Sequence, residues 1–198
     1  MRALVLFLLF LLTLLTVALH RAAGPAAAKP GDLRLSTIAS ELARRPAVVR
    51  CEGASGQLMS VDGESGRVEF VNGKPDGAAV LKEGVCETLH RYSQATKAGP
   101  QCLLPCDGSA LELAWSLNAL AHESYHLAGI RNEARTECYA LQAVGFVARR
   151  LGASREQARQ LAAFTFVALP PRMPPEYSSN ACRNGGRFDL RPGSAVWP

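Results

Sequence analysis

Apolar positions along the chain change period from one stretch to the next. Leu111, Leu113, Ala114, Leu117, Leu120 and Ala121 recur at spacings that give a helix one broad apolar face. Asp107 or Ser109 can cap the start of that helix, and Gly129 can end it. A second helix is expected from Asn132 onward, stopped by Gly152. Ser154 and Gln157 have the spacing of a capping box, opening a third helix to about residue 167. Pro170, Pro171, Pro174 and Pro175 forbid its continuation. Upstream, Leu81, Val85 and Leu89 stand four apart and predict a helix over 78–93. A shorter helix is expected over 36–45, ended before Pro46. Residues 57–61 and 67–71 read as two strands joined by the turn Asp62-Gly63-Glu64-Ser65-Gly66. Residues 72–77 read as a turn cluster and 96–108 as a loop.

These elements predict an α+β fold, mainly helical, in which a small β-hairpin accompanies the helices. The first residues stand apart. Arg2 precedes an apolar run from Ala3 to Leu19, broken only by Thr13 and Thr16, and small residues follow. That is the shape of a signal peptide, with a cleavage site near Ala23 or Ala28. Residues 1–28 are read as a signal peptide, or as a membrane anchor if uncleaved. Residues 22–32 form a linker rich in Ala, Pro and Gly, and 29–198 form a single domain. The domain is then secreted or otherwise extracytoplasmic, and it meets a membrane only through an uncleaved amino terminus.

Cysteine usage agrees with export. Six cysteines, an even number, point to disulfides in an oxidising compartment. Sequence leaves the pairing open. The expected set joins Cys51 to Cys86, Cys102 to Cys106 and Cys138 to Cys182, the last clamping the second helix to the carboxy-terminal tail. Cys102 and Cys106 also have a second reading, as thiolate zinc ligands. The formal net charge is +5, and the basic residues are scattered apart from Arg44-Arg45 and Arg149-Arg150. No basic stripe interleaves with aromatics, so nucleic-acid binding has no support. No glycine-rich phosphate loop and no internal repeat is visible.

The chemistry concentrates at His122-Glu123-Ser124-Tyr125-His126. Residues four apart on a helix share a face, so His122 and His126 can direct two imidazoles at one Zn²⁺. Glu123 lies about 100° round the helix. From there its carboxylate can take a proton from a water that the metal has made more acidic. A third ligand is needed, and the next helix offers two carboxylates four apart. If the chain turns back around Gly129, His126 lies level with Glu133 and His122 level with Glu137. Glu133 is then the third ligand, and Glu137 the acceptor that orients His122. The reversed assignment, with Glu137 on the metal, stays open.

On these residues the segment resembles the zincin metalloproteases. It is closest to the gluzincin branch, in which a Glu from a following helix completes the site. Asn132, Glu133 and Glu137 resemble that branch's second element. Residues 122–132 also follow the metzincin pattern up to its last position, where that branch places His or Asp and this chain has Asn132, a poor zinc ligand. The gluzincin resemblance implies a zincin-like helical hairpin around Zn²⁺ and a peptide or protein substrate. It also implies a small sheet whose edge can pair with extended substrate. Two other classes remain: a metal-binding module without catalysis, and a disulfide-held structural or interaction domain without metal. His90 has no partner at ligand spacing and is expected to be structural. Tyr177 can reach the cleft, where a phenol can stabilise an oxyanion, or it can simply pack. Substrate and oligomeric state are not legible in the chain.

Overall fold

Helix α3 (Ala110–Leu127) is buried on nearly every side, with 13 of its 18 residues buried. A helix so enclosed needs apolar or small residues all round rather than one stripe, and Ser-Leu-Asn-Ala-Leu-Ala supplies them just before His122. The computed structural model describes residues 30–59, 64–97 and 110–198. Among these, α3 packs against all four other helices: α1 (Leu33–Ala43), α2 (Glu83–Lys97), α4 (Glu133–Arg150) and α5 (Arg155–Ala168). Strands β2 (Gly66–Val71) and β3 (Lys74–Lys82) also touch it. Leu113, Leu117, Leu120 and Leu127 join Leu35, Val49, Leu81, Val85, Val144 and Leu161 in one continuous core.

The architecture is α+β, as expected, and about half helical, but the sheet differs in extent and in membership. It has three strands in the order β1-β3-β2, with β1 at Val48–Glu52. β1 runs parallel to β3 and β2 antiparallel to it. The expected hairpin between 57–61 and 67–71 is corrected: β2 pairs with β3, through a two-residue turn at Asn72-Gly73. Both turn residues have positive φ, 52° and 78°, which is the turn type whose twist suits a hairpin. The helix expected over 78–93 begins only at Glu83, because 78–82 finishes β3. Pro75 is tolerated because β1 pairs with β3 only from Ala78 onward.

Among the described residues two of the three expected disulfides are present, Cys51–Cys86 and Cys138–Cys182. The first joins β1 to α2 and the second joins α4 to the tail. Both fit an oxidising environment. Ser154 and Gln157 form the reciprocal capping box at the start of α5. The four prolines after α5 give two single-turn 3-10 segments, Pro170–Arg172 and Pro175–Tyr177, in place of helix. His90 is structural, bonding at 2.6 Å to Asp32, which also caps α1. Among the described residues no helix is long and apolar enough to cross a membrane. The segment 1–28, the Cys102–Cys106 pair, and the caps at Asp107 and Ser109 lie outside the described residues.

Candidate metal centre

The turn after α3 brings the site together. Gly129 adopts φ 94°. Its N–H bonds to the His126 carbonyl at 2.8 Å, and the Ile130 N–H bonds to the Tyr125 carbonyl at 3.2 Å. This paired pattern closes a helix with a residue in left-handed conformation, where glycine carries no Cβ penalty. The turn also aims the Ile130 carbonyl at His126 Nδ1, 2.7 Å away. Asn132 then caps α4 by accepting from the Arg135 N–H at 2.9 Å. The side-chain oxygen that the metzincin pattern would ask of Asn132 is therefore committed to the helix.

With the helices thus folded back, Glu133 and Glu137 both approach the histidines. His122 Nε2 and His126 Nε2 are 2.9 Å apart. Glu133 Oε2 lies 3.1 Å from the first and 3.3 Å from the second. Glu137 does not share that centre. Its Oε2 lies 3.0 Å from His122 Nδ1, on the other side of the ring. Of the two open assignments, the geometry places Glu133 with the histidines and Glu137 behind His122.

The partners fix the tautomers. A carboxylate and a carbonyl only accept, so His122 Nδ1 and His126 Nδ1 must both carry hydrogen. When neutral, each ring turns the lone pair of its Nε2 to the shared centre, where the Glu133 oxygen is also an acceptor. Such a set is satisfied by positive charge at its centre, whether a shared proton or a metal ion. The separations fit a metal ion: ligand atoms round a tetrahedral ion at about 2.05 Å are about 3.3 Å apart. His122, His126 and Glu133 thus form a group that can hold a metal ion.

The electrostatics agree. Burial alone would push the His122 ring down, but bonds to Glu133 and Glu137 and the charges of Glu123 and Glu137 lift it to about 10. Burial alone would raise Glu133, but its bonds to His122 and His126 hold it down at about 2. The centre attracts positive charge, whether a proton or a metal.

Glu123 stands beside the group. It is 5% exposed, and its Oε2 has no hydrogen-bond partner. Burial pushes its carboxyl up to about 7. It lines a cleft of about 600 Å³ together with His122, His126 and Glu133. The edge strand β2 forms one wall of the cleft through Gly66, Val68 and Phe70. Tyr177 lines it as well, its ring centre 5.6 Å from that of His122. Burial and the charges of Glu133, Glu123, Glu64 and Glu137 push the Tyr177 phenol up to about 12.

Sequence reasoning missed Asn118. Its Nδ2 donates to both oxygens of Glu137, at 3.0 and 3.1 Å. The signal was there: Asn118 sits one turn before His122, on the same face, a polar residue in an otherwise apolar run. No protein-family model, curated protein or solved structure matches the chain. The zincin resemblance therefore rests on the residues between His122 and Glu137 alone.

Proposed function

We propose that this protein is an exported zinc-dependent hydrolase acting on peptides, of the zincin type. The observation that carries this reading is the convergence of His122 Nε2, His126 Nε2 and Glu133 Oε2 within 3.3 Å of one another. Nitrogen and carboxylate donors in a three-residue set suit Zn²⁺ with a fourth position open. Zn²⁺ supplies Lewis acidity there, making water acidic near neutral pH and polarising a carbonyl.

The chain's own residues take the remaining tasks. Glu137 accepts from His122 Nδ1, so the ring presents the correct nitrogen. Glu123 has a buried oxygen with no partner and can receive a proton from water and pass it to a leaving amine. The β2 edge offers backbone groups with which an extended peptide can pair. The Tyr177 phenol stays protonated and can donate to an oxyanion.

The deciding experiment measures zinc in the purified protein and cleavage of a diverse peptide set. Stoichiometric zinc with peptide cleavage supports the proposal, and Glu123→Gln should then keep the metal and lose turnover. A Glu123→Gln variant that cleaves at the wild-type rate would sink the mechanism.

A further inference from the structure

Three arginines line the cleft: Arg67, Arg131 and Arg172. Two are committed elsewhere. Arg67 pairs with Glu52 at 3.7 Å, and Arg172 donates to the Ala168 carbonyl at 2.7 Å. Arg131 has no carboxylate or carbonyl partner among the described residues. Its guanidinium carbon instead lies 5.3 Å from the centre of the Phe70 ring.

A guanidinium held over an aromatic ring by cation–π attraction keeps its N–H groups free to meet an acceptor. Phe70 also meets the His126 ring edge-on, with ring centres 6.1 Å apart. One aromatic side chain therefore positions both a member of the donor group and a cation beside it. Glu123, Glu133 and Glu137 all line the same cleft, yet none of them bonds to Arg131. A guanidinium beside the donor group, with no carboxylate or carbonyl partner among the described residues, can bind a carboxylate through two parallel hydrogen bonds.

We propose that Arg131 is a carboxylate-recognition point, and that the preferred substrate is a peptide bearing a carboxylate close to the bond cut. This rests on the peptidase reading above. Phe70 links Arg131 to His126, so the carboxylate sits within about two extended residues of the metal group. It can come from an acidic side chain or from the free end of the peptide.

Binding to the zinc-loaded Glu123→Gln protein tests this without turnover. The probes are short neutral peptides with Glu or Gln at each position in turn, each with a free or amidated carboxy terminus. At low salt a carboxylate should tighten binding about tenfold. The difference should vanish when Arg131→Ala is added, with zinc content unchanged. Preference for Glu over Gln assigns the side chain, and preference for the free terminus assigns the chain end. Equal binding of all probes, or a preference that survives Arg131→Ala, overturns the proposal. Wild-type cleavage separates it from the reading it rests on. Cleavage blind to charge leaves a peptidase without this recognition point. Carboxylate-selective binding with no cleavage of any probe removes the peptidase and keeps the role of Arg131.

Discussion

A Cβ on Gly66 would stand 2.8 Å from Glu123 Cγ and 3.0 Å from its Oε1. Bare backbone at that point of β2 is what lets the Glu123 carboxylate lie against the strand. The same Cβ would meet Leu81 at 2.8 Å, so the side chain cannot escape towards the core. Gly66→Ala should lower stability by about 1–3 kcal/mol through overpacking. It should also lower peptide cleavage about a hundredfold, because a proton acceptor displaced by an ångström loses its alignment. Zinc content should not change. Denaturation, metal analysis and kinetics on one preparation check this, and undiminished turnover would show that Glu123 does not act from its observed position.

Metal removal should be felt by the whole domain. The donor group joins α3 to α4, the two helices that meet at the centre of the fold. Metal bound at a thousandfold excess over its dissociation constant adds about 4 kcal/mol. For a chain of this size, that corresponds to roughly 10 °C in melting temperature. A strong chelator should therefore lower the transition by that amount, and restored zinc should recover it. His122→Ala and His126→Ala should melt at the chelated temperature and be insensitive to chelator. A wild-type transition indifferent to chelator would count against the site.

Asn118 and Glu137 form a relay whose effect should appear in affinity rather than in activity alone. Asn118 donates to both Glu137 oxygens, and Glu137 accepts from His122. Loss of such a partner lowers metal affinity by about 10–100-fold. Asn118→Ala should fall towards the lower end and Glu137→Gln towards the upper. Competition with a zinc-responsive dye reads both. Asn118→Asp should be worse than Asn118→Ala, because it sets a second carboxylate against Glu137. Equal affinity in all three variants would reduce the relay to packing.

The parts of the structure that sequence made legible share a cause. The spacing of His122, His126, Glu133 and Glu137 is set by helix geometry and one glycine turn, both local rules. Helix α5 was marked by its capping box for the same reason. Strand β2 was legible at 67–71, but its partner was not, because pairing is non-local. Leu81, Val85 and Leu89 stand four apart, yet the first belongs to β3 and the others to α2. A spacing of four satisfies both the strand period and, nearly, the helical one. Asn72-Gly73 carried a hairpin signal, but Lys74-Pro75-Asp76-Gly77 broadened it into an apparent loop. Asn118 and Gly66 acquire their roles only through contacts with Glu137 and Glu123, which no local pattern encodes.

The two disulfides should differ in what they protect. Cys51–Cys86 closes 35 residues and Cys138–Cys182 closes 44. Chain entropy gives each about 4 kcal/mol, so loss of either should lower stability by a similar amount. Their positions relative to the metal group are not similar. Cys138 follows Glu137 on α4, and Cys182 anchors the tail that begins with Tyr177 over His122. Gln142, one turn beyond Cys138, holds the same tail through the Phe188 carbonyl and the Leu190 N–H, both at 2.8 Å. Cys51–Cys86 joins β1 to α2, and neither cysteine lines the cleft. Replacing Cys138 and Cys182 together by Ser should therefore weaken zinc binding and peptide cleavage as well as stability. The matching Cys51 and Cys86 replacement should reduce stability alone, measured well below both transitions. Equal loss of zinc affinity in the two variants would mean that the tail does not support the centre, and that the effect is global loosening.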